Sequence, residues 1–162
     1  MSSEMLMDLR ALISAIVVCE GAGGVGALVT GPAVRTWYPG LRKPAFNPPS
    51  WIFAPVWTVL YLLMGVSLFL TWRRRSLEAR AAPALRIFTL QLLLNALWSM
   101  LFFGLKSPRF AFMDIVILWA AIILTIRAMY RVSRVGALLL LPYLVWVSFA
   151  GLLNLAIWRL NA

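Results

Sequence analysis

Aromatic and amide side chains recur at helical spacing in three apolar stretches of the chain. In the first stretch, Trp57, Tyr61 and Met64 are four and three residues apart, which places them on one face of a helix. Two further stretches carry stripes of the same kind: Gln91, Asn95, Trp98 and Phe102, and then Tyr143, Trp146, Ala150 and Asn154. Aromatic walls with a few polar groups are typical of sites that bind small molecules.

Conventional catalytic and metal-binding groups are scarce. The chain has no histidine and one cysteine, Cys19, so zinc, haem iron and iron–sulfur clusters lack their usual ligands, and we expect no metal site and no required cofactor. No paired carboxylates or nucleophile motif indicate acid–base or covalent catalysis. Glu20 stands alone in an apolar stretch, where a carboxylate is costly. It either faces a wet cavity or donates a hydrogen bond as a neutral acid, and its role stays open.

The elements that carry these residues are predicted to be membrane-spanning helices. Of the 162 residues, 63% are hydrophobic and only 12% are charged, with a mean hydropathy of +0.90. A small soluble domain leaves too much of its surface exposed to hide this many apolar residues. The composition therefore excludes an ordinary soluble domain, a disordered chain and a disulfide scaffold, and it indicates an integral membrane protein.

Five apolar runs are long enough to cross a bilayer as helices. They cover residues of about 9–29, 51–72, 85–104, 110–130 and 136–158. No repeat or linker divides the chain, so the fold class predicted is an all-α bundle of five transmembrane helices in a single domain, residues 1–162. Loop 1, about residues 30–50, contains five prolines, which restrict the backbone and favour an ordered segment.

Depth along the runs places the aromatic and amide faces in one half of the bundle. Asn95, Trp98, Trp57, Trp146 and Ala150 all lie roughly 6–18 Å below the end at which loop 1 begins, at 1.5 Å per residue. These faces therefore predict a cavity with loop 1 as its lid. A packed aromatic core under a structural loop accounts for the spacing equally well.

Basic residues outnumber acidic ones, fifteen to five. They flank the apolar runs and form no separate domain, so they favour loops at lipid headgroups and exclude nucleic acid as the expected partner. More of them lie on the N-terminal side of the bundle, which predicts a cytoplasmic N-terminus if the bilayer is an inner membrane.

In these residues the chain resembles the translocator protein family, TspO/MBR, which includes tryptophan-rich sensory proteins and peripheral-type benzodiazepine receptors. The resemblance covers about residues 21–159. Its most specific parts are Trp37-Tyr38, Lys43-Pro44, Asn47-Pro48-Pro49, Trp51, Pro55, Trp57, Tyr61, Met64-Gly65, Gln91, Asn95, Trp98, Phe102-Phe103-Gly104, Asp114, Pro142-Tyr143-Leu144, Trp146, Phe149-Ala150, Leu153-Asn154 and Trp158-Arg159.

The resemblance implies a multi-pass protein of a bacterial-type membrane, commonly a homodimer, with a ligand pocket closed by loop 1. The family's ligands are porphyrins such as protoporphyrin IX and synthetic benzodiazepine or isoquinoline-type compounds. Together with the spacing, the resemblance points to these ligand-binding residues: Trp57, Tyr61, Asn95, Trp98, Phe102, Trp146 and Ala150. The lid residues are Arg35, Trp37, Arg42, Lys43 and Asn47, and the basic ones among them are positioned to meet porphyrin propionates.

Three functions follow from this resemblance. The first is a porphyrin-binding membrane sensor or regulator. The second is light-dependent porphyrin degradation, in which Trp57 and Trp146 would be the catalytic pair, and the third is transport of porphyrin or other lipophilic ligands. The residues from Asn154 to Arg159 lack the central tyrosine of the animal cholesterol-recognition sequence, so cholesterol is a doubtful ligand.

The face for a homodimer has two candidates in the sequence. One is the end of the third helix near Gly104. The other is a stripe of small residues at every fourth position of the first helix, a spacing that lets two helix backbones come close. The stripe consists of Ala11, Ala15, Cys19, Gly23 and Ala27.

Overall fold

A computed structural model describes residues 3–162, and within this range five helical segments are long and apolar enough to cross a membrane. The predicted fold class is confirmed. The spans are α1, Ser3–Thr36; a 3₁₀ turn with α2, Ser50–Trp72; α3 with its π-helical end, Ala81–Gly104; α4, Pro108–Tyr130; and α5 with α6, Arg134–Leu160. Consecutive spans run in opposite directions, so loop 1 lies at the same end of the bundle as the link between α3 and α4.

The first helix is longer than the sequence suggested. The predicted span of 9–29 extends to Ser3–Thr36, and Pro32 lies inside it. The predicted loop of 30–50 is therefore wrong in its first turns, and Arg35 belongs to a helix. Pro32 deprives the helix of one backbone donor, but buried Ala33 packs in the bundle and accepts a hydrogen bond from the Trp37 amide, so the helix continues past the proline.

Two spans depart from a regular α-helix. α3, Ala81–Ser99, continues as a π-helix over Met100–Gly104. The fifth span consists of a short α5, Arg134–Leu138, and a long α6, Leu141–Leu160. The interruption precedes Pro142, whose nitrogen has no proton to donate to the preceding turn. The π-helix presents Phe102 to the bundle interior, where it is buried.

Close packing of α1 against α2 uses residues without bulky side chains. A Cβ on Gly65 of α2 would lie 2.6 Å from the Cα of Ile16. On α1 itself, Ala15 and Cys19 are buried, and a Cβ on Gly23 would lie 2.4 Å from the Tyr61 ring. These members of the small-residue stripe therefore pack within the bundle, where the stripe brings α1 close to α2.

The bundle has a packed core at the end away from loop 1. Phe88, Leu118, Ile122 and Met129 are almost fully buried there. At the surface of that end, the Arg73 guanidinium lies 3.0 Å from the Asp8 carboxylate and ties the start of α1 to the link after α2. Many large apolar side chains on the outer faces are exposed, as expected for a surface that contacts lipid.

A candidate ligand cavity beneath loop 1

The half of the bundle nearest loop 1 is not filled by its side chains. A cavity of about 570 Å³ lies between α1, α2, the end of α3 and α6. We call it the loop-1 cavity. Its volume is in the range of small-molecule sites, which are typically ~300–1,000 Å³ and mostly apolar. This position agrees with the depth predicted from the sequence.

Most of the predicted ligand-binding residues line this cavity. Six of the seven do so: Trp57, Tyr61, Trp98, Phe102, Trp146 and Ala150. Asn95 is absent from the lining, and its contact with a ligand stays a prediction. The structure therefore brings the aromatic stripes of α2, α3 and α6 to one space.

Three pairs of aromatic rings lie in the cavity wall. On one side, the Trp57 ring lies 5.5 Å from the Tyr61 ring, with 30° between their planes. On another, Trp98 stacks on Phe102 at 5.2 Å and 24°. Trp146 lies edge-on to Phe53 at 6.0 Å. Indole and phenyl faces in these arrangements give broad apolar surfaces for a flat ligand.

Asn95 lies outside the cavity lining and is hydrogen-bonded to Tyr61, one of the side chains of the wall. The Tyr61 hydroxyl donates a hydrogen bond to Oδ1 of Asn95, and Nδ2 of Asn95 donates to the Tyr143 hydroxyl at 2.8 Å. All three side chains are buried. Because both ends of the amide are used within the bundle, Asn95 fixes the position of Tyr61.

The indole nitrogen of Trp98 is also engaged within the bundle. Nε1 of Trp98 donates to Oδ1 of Asn154 at 3.0 Å, and Nδ2 of Asn154 donates to the Pro108 carbonyl at 2.7 Å. This chain links α3, α6 and the start of α4. It leaves the ring face of Trp98, rather than its N–H group, to contact a ligand.

Two other polar residues highlighted by the sequence do not face the cavity. Gln91 and Asp114 are buried in the bundle, and neither belongs to the cavity lining. Both amide atoms of Gln91 and Oδ2 of Asp114 lack a hydrogen-bond partner among residues 3–162. The two amides of the α3 stripe, Gln91 and Asn95, thus lie in the bundle interior and outside the cavity lining, whereas Trp98 and Phe102 of the same stripe line the cavity.

Loop 1 is held in place by polar contacts among its own residues. The Tyr38 hydroxyl donates to Oδ1 of Asn47 at 2.7 Å. The Lys43 ammonium donates to the Pro39 and Leu41 carbonyls and lies 4.8 Å from the centre of the Tyr38 ring. Burial raises the pKa of Tyr38, while the hydrogen bond to Asn47 lowers it by less.

Asn161, directly after the C-terminal end of α6, is hydrogen-bonded to the same loop. The Arg42 amide donates to Oδ1 of Asn161 at 3.0 Å, and Nδ2 of Asn161 donates to the Arg42 carbonyl at 2.9 Å. This pairing joins residues that are 119 positions apart in the chain. It anchors the middle of loop 1 to α6.

The predicted lid residues divide into two groups. Arg35 lines the cavity, from the last turn of α1. The other four, Trp37, Arg42, Lys43 and Asn47, are outside its lining. Tyr38 does line the cavity and is buried, which the sequence analysis did not anticipate. Their roles toward a ligand stay predictions.

One wall of the cavity was not predicted from the sequence, although a wet cavity was one of the two alternatives for Glu20. It is formed by α1, mainly through residues with little or no side chain, such as Gly23, Gly24, Ala27 and Gly31, together with Glu20. A Cβ on Gly24 or Gly31 would meet no heavy atom within 4 Å. The glycine cluster next to a lone carboxylate was the sequence signal for this wall.

Comparison with known proteins supports the resemblance seen in the sequence. The sequence profile of the TspO/MBR family matches residues 15–159, most of the chain. The chain belongs to the TspO/MBR family. Its membership agrees with five membrane-spanning helices and with a multi-pass membrane protein.

Relatives of this TspO/MBR chain occur in archaea, bacteria and animals. The tryptophan-rich protein TspO of Archaeoglobus fulgidus is 44% identical over 96% of this chain and 100% of its own length. The translocator protein of Homo sapiens is 40% identical over 82% of this chain and 79% of its own. The tryptophan-rich sensory protein of Cereibacter sphaeroides is 33% identical over 97% and 95%, respectively. These names support a sensory, regulatory or translocator role in a membrane.

Proposed function

We propose that this TspO/MBR chain is a membrane sensor or regulator that binds a porphyrin, such as protoporphyrin IX, in the loop-1 cavity. The observation that carries the proposal is the convergence of Trp57, Trp98 and Trp146 on one cavity of about 570 Å³. A porphyrin is a broad, flat, apolar ring, and indole faces stack favourably on such rings.

The charges at the cavity mouth also suit a porphyrin. Arg35 lines the cavity at the loop-1 end, where α1 ends. A guanidinium can bind a carboxylate through two parallel hydrogen bonds. The porphyrin would therefore lie with its propionates toward Arg35 and its apolar edge among the tryptophans. Synthetic benzodiazepine or isoquinoline-type ligands, which are also flat and aromatic, would compete for the same space.

The test is a titration of the purified protein in detergent with protoporphyrin IX, followed by tryptophan fluorescence. The wild type should show saturable quenching, and Trp57→Phe and Trp146→Phe should each weaken binding. Trp72→Phe is the matched control, because Trp72 lies at the opposite end of α2 and outside the cavity lining. Equal affinities in all four proteins would refute binding in this cavity.

Light-dependent porphyrin degradation is a second candidate. Trp57 and Trp146 both line the cavity, so a bound ring excited by light would have two indoles at contact distance. Illumination of the complex in the presence of dioxygen should then bleach the porphyrin absorption in the wild type. Bleaching should be lost in Trp57→Phe or Trp146→Phe but kept in Trp72→Phe. Equal bleaching in all the proteins would leave binding as the only activity.

A further inference from the structure

The loop-1 cavity has one acidic side chain in its lining, and that side chain lies far from the basic one. Glu20 and Arg35 are the two charged residues that line it. They are fifteen positions apart on α1, which corresponds to roughly 22 Å along the helix. The cavity is thus positively charged at its loop-1 end and has a carboxyl group at its inner end.

No group of the described chain satisfies the Glu20 carboxyl. Within residues 3–162, the ion pair found joins Arg73 to Asp8 at the other end of the bundle, and no hydrogen bond to the Glu20 side chain is present. Gly23, Gly24 and Tyr61 line the same cavity as Glu20. The Tyr61 hydroxyl already donates its hydrogen bond to Oδ1 of Asn95.

An unsatisfied carboxyl group in the middle of a membrane span is energetically costly. A carboxylate accepts hydrogen bonds but donates none, so the group that best offsets this cost is a cation that carries N–H donors. The lining of the cavity supplies aromatic faces, among them Trp57 and Trp98, while its cationic residue, Arg35, lies fifteen positions away on α1. A ligand that enters the cavity can supply the complementary group.

We infer that Glu20 is a specificity-determining residue of the loop-1 cavity, and that it selects flat aromatic ligands carrying a protonated amine. The aromatic body would lie against Trp57 and Trp98, with the ammonium group hydrogen-bonded to the Glu20 carboxylate. This inference rests on the proposed function only in taking the cavity to be a site for flat aromatic ligands. It adds a second ligand class, cationic at the end opposite the porphyrin propionates.

The test uses two probes that share one ring system, 1-pyrenemethylamine and 1-pyrenemethanol. Both are titrated into the purified full-length protein in a detergent with an uncharged headgroup, and energy transfer from tryptophan to pyrene reports binding. The wild type should bind the amine about tenfold or more tighter than the alcohol, which is the size expected of a hydrogen bond to a charged group.

Variants then locate the source of that preference. Glu20→Gln keeps the size and shape of the side chain and should abolish most of the preference for the amine over the alcohol, because a neutral amide carries no charge to attract the ammonium group. Asp8→Asn is the control, because Asp8 is also an acidic residue of α1 but is paired with Arg73 outside the cavity. It should keep the wild-type preference.

The outcomes separate this inference from the proposed function. No preference in the wild type, or an equal preference in Glu20→Gln, overturns the role of Glu20 even if protoporphyrin IX binds. The comparison of the two probes in the wild type can overturn the inference by itself, so the test holds even if Glu20→Gln folds poorly. A preference lost in Glu20→Gln supports it even where protoporphyrin IX fails to bind, in which case the porphyrin proposal alone falls.

Discussion

Replacing either of two adjacent glycines in the α1 wall by alanine is expected to change the stability of the protein differently. Gly23 and Gly24 both line the loop-1 cavity. A Cβ on Gly23 would lie 2.4 Å from Cε2 and 2.6 Å from Cδ2 of Tyr61, whereas a Cβ on Gly24 would meet no heavy atom within 4 Å. Gly23→Ala should therefore be destabilising relative to Gly24→Ala.

The size of this difference follows from what surrounds Tyr61. Its ring is buried and its hydroxyl is bonded to Asn95, so it cannot move aside freely. Overpacking of this kind costs about 1–3 kcal/mol. Each alanine also gains up to about 1 kcal/mol in helix propensity. That gain is common to both variants and cancels in the comparison.

The assay is thermal unfolding of the two variants in the same detergent. For a chain of this length, 1 kcal/mol shifts the unfolding midpoint by about 2–4 °C, so Gly23→Ala should unfold on the order of 5 °C below Gly24→Ala. Ligand affinity should fall in Gly23→Ala as well, because Tyr61 lines the cavity. A Gly23→Ala protein as stable as Gly24→Ala would refute the packing argument.

Three further predictions concern the lid and the helix contacts. Asn161→Ala removes both hydrogen bonds to Arg42, so trypsin should cut after Arg42 faster than in the wild type. An unchanged rate of cleavage would contradict the role of Asn161 in anchoring loop 1. Burial raises the pKa of Tyr38 in the folded protein above its ordinary value of 10.0. The protonated Tyr38 hydroxyl therefore contributes its full stabilisation below about pH 10, and this stabilisation is lost as the pH rises through the pKa of the folded state. Tyr38→Phe should lose less stability than the wild type between pH 9 and pH 11 in thermal unfolding, and parallel curves would contradict this. Gly65→Ala should lower the unfolding midpoint more than Gly23→Ala does, because its Cβ would meet the backbone of Ile16 at 2.6 Å rather than a side chain; a midpoint equal to the wild type would contradict the close contact of α1 and α2.

The spans were predictable because hydropathy and length decide whether a helix can cross a bilayer. The end of α1 was not, because Gly31 and Pro32 are strong stop signals in water-soluble proteins. In this bundle the packing of Ala33 and the hydrogen bond that its carbonyl accepts from Trp37 carry the helix to Thr36. Local propensity was outweighed by the burial of Ala33 in the bundle, a tertiary contact that a single sequence does not reveal.

The cavity was predictable only on the walls that have large side chains. Helical spacing placed Trp57, Trp98 and Trp146 toward the interior, and they line one space. Spacing gives the direction of a side chain but not its depth in the wall, so it did not show that Asn95 lies outside the cavity lining and is hydrogen-bonded to Tyr61. Its contact with a ligand stays a prediction. The α1 wall was not predicted because glycine has no side chain whose spacing along the helix would indicate a direction.

The central claim, that ligands bind in the loop-1 cavity, is tested most directly by filling it. Gly31 lines the cavity and Gly21 does not, and a Cβ at either would meet no heavy atom within 4 Å. Protoporphyrin IX titrations should show binding to Gly31→Leu weakened about tenfold, on the scale of the cost of overpacking, with binding to Gly21→Leu unchanged. Equal affinity of the two variants and the wild type would contradict the assignment of this cavity as the ligand site.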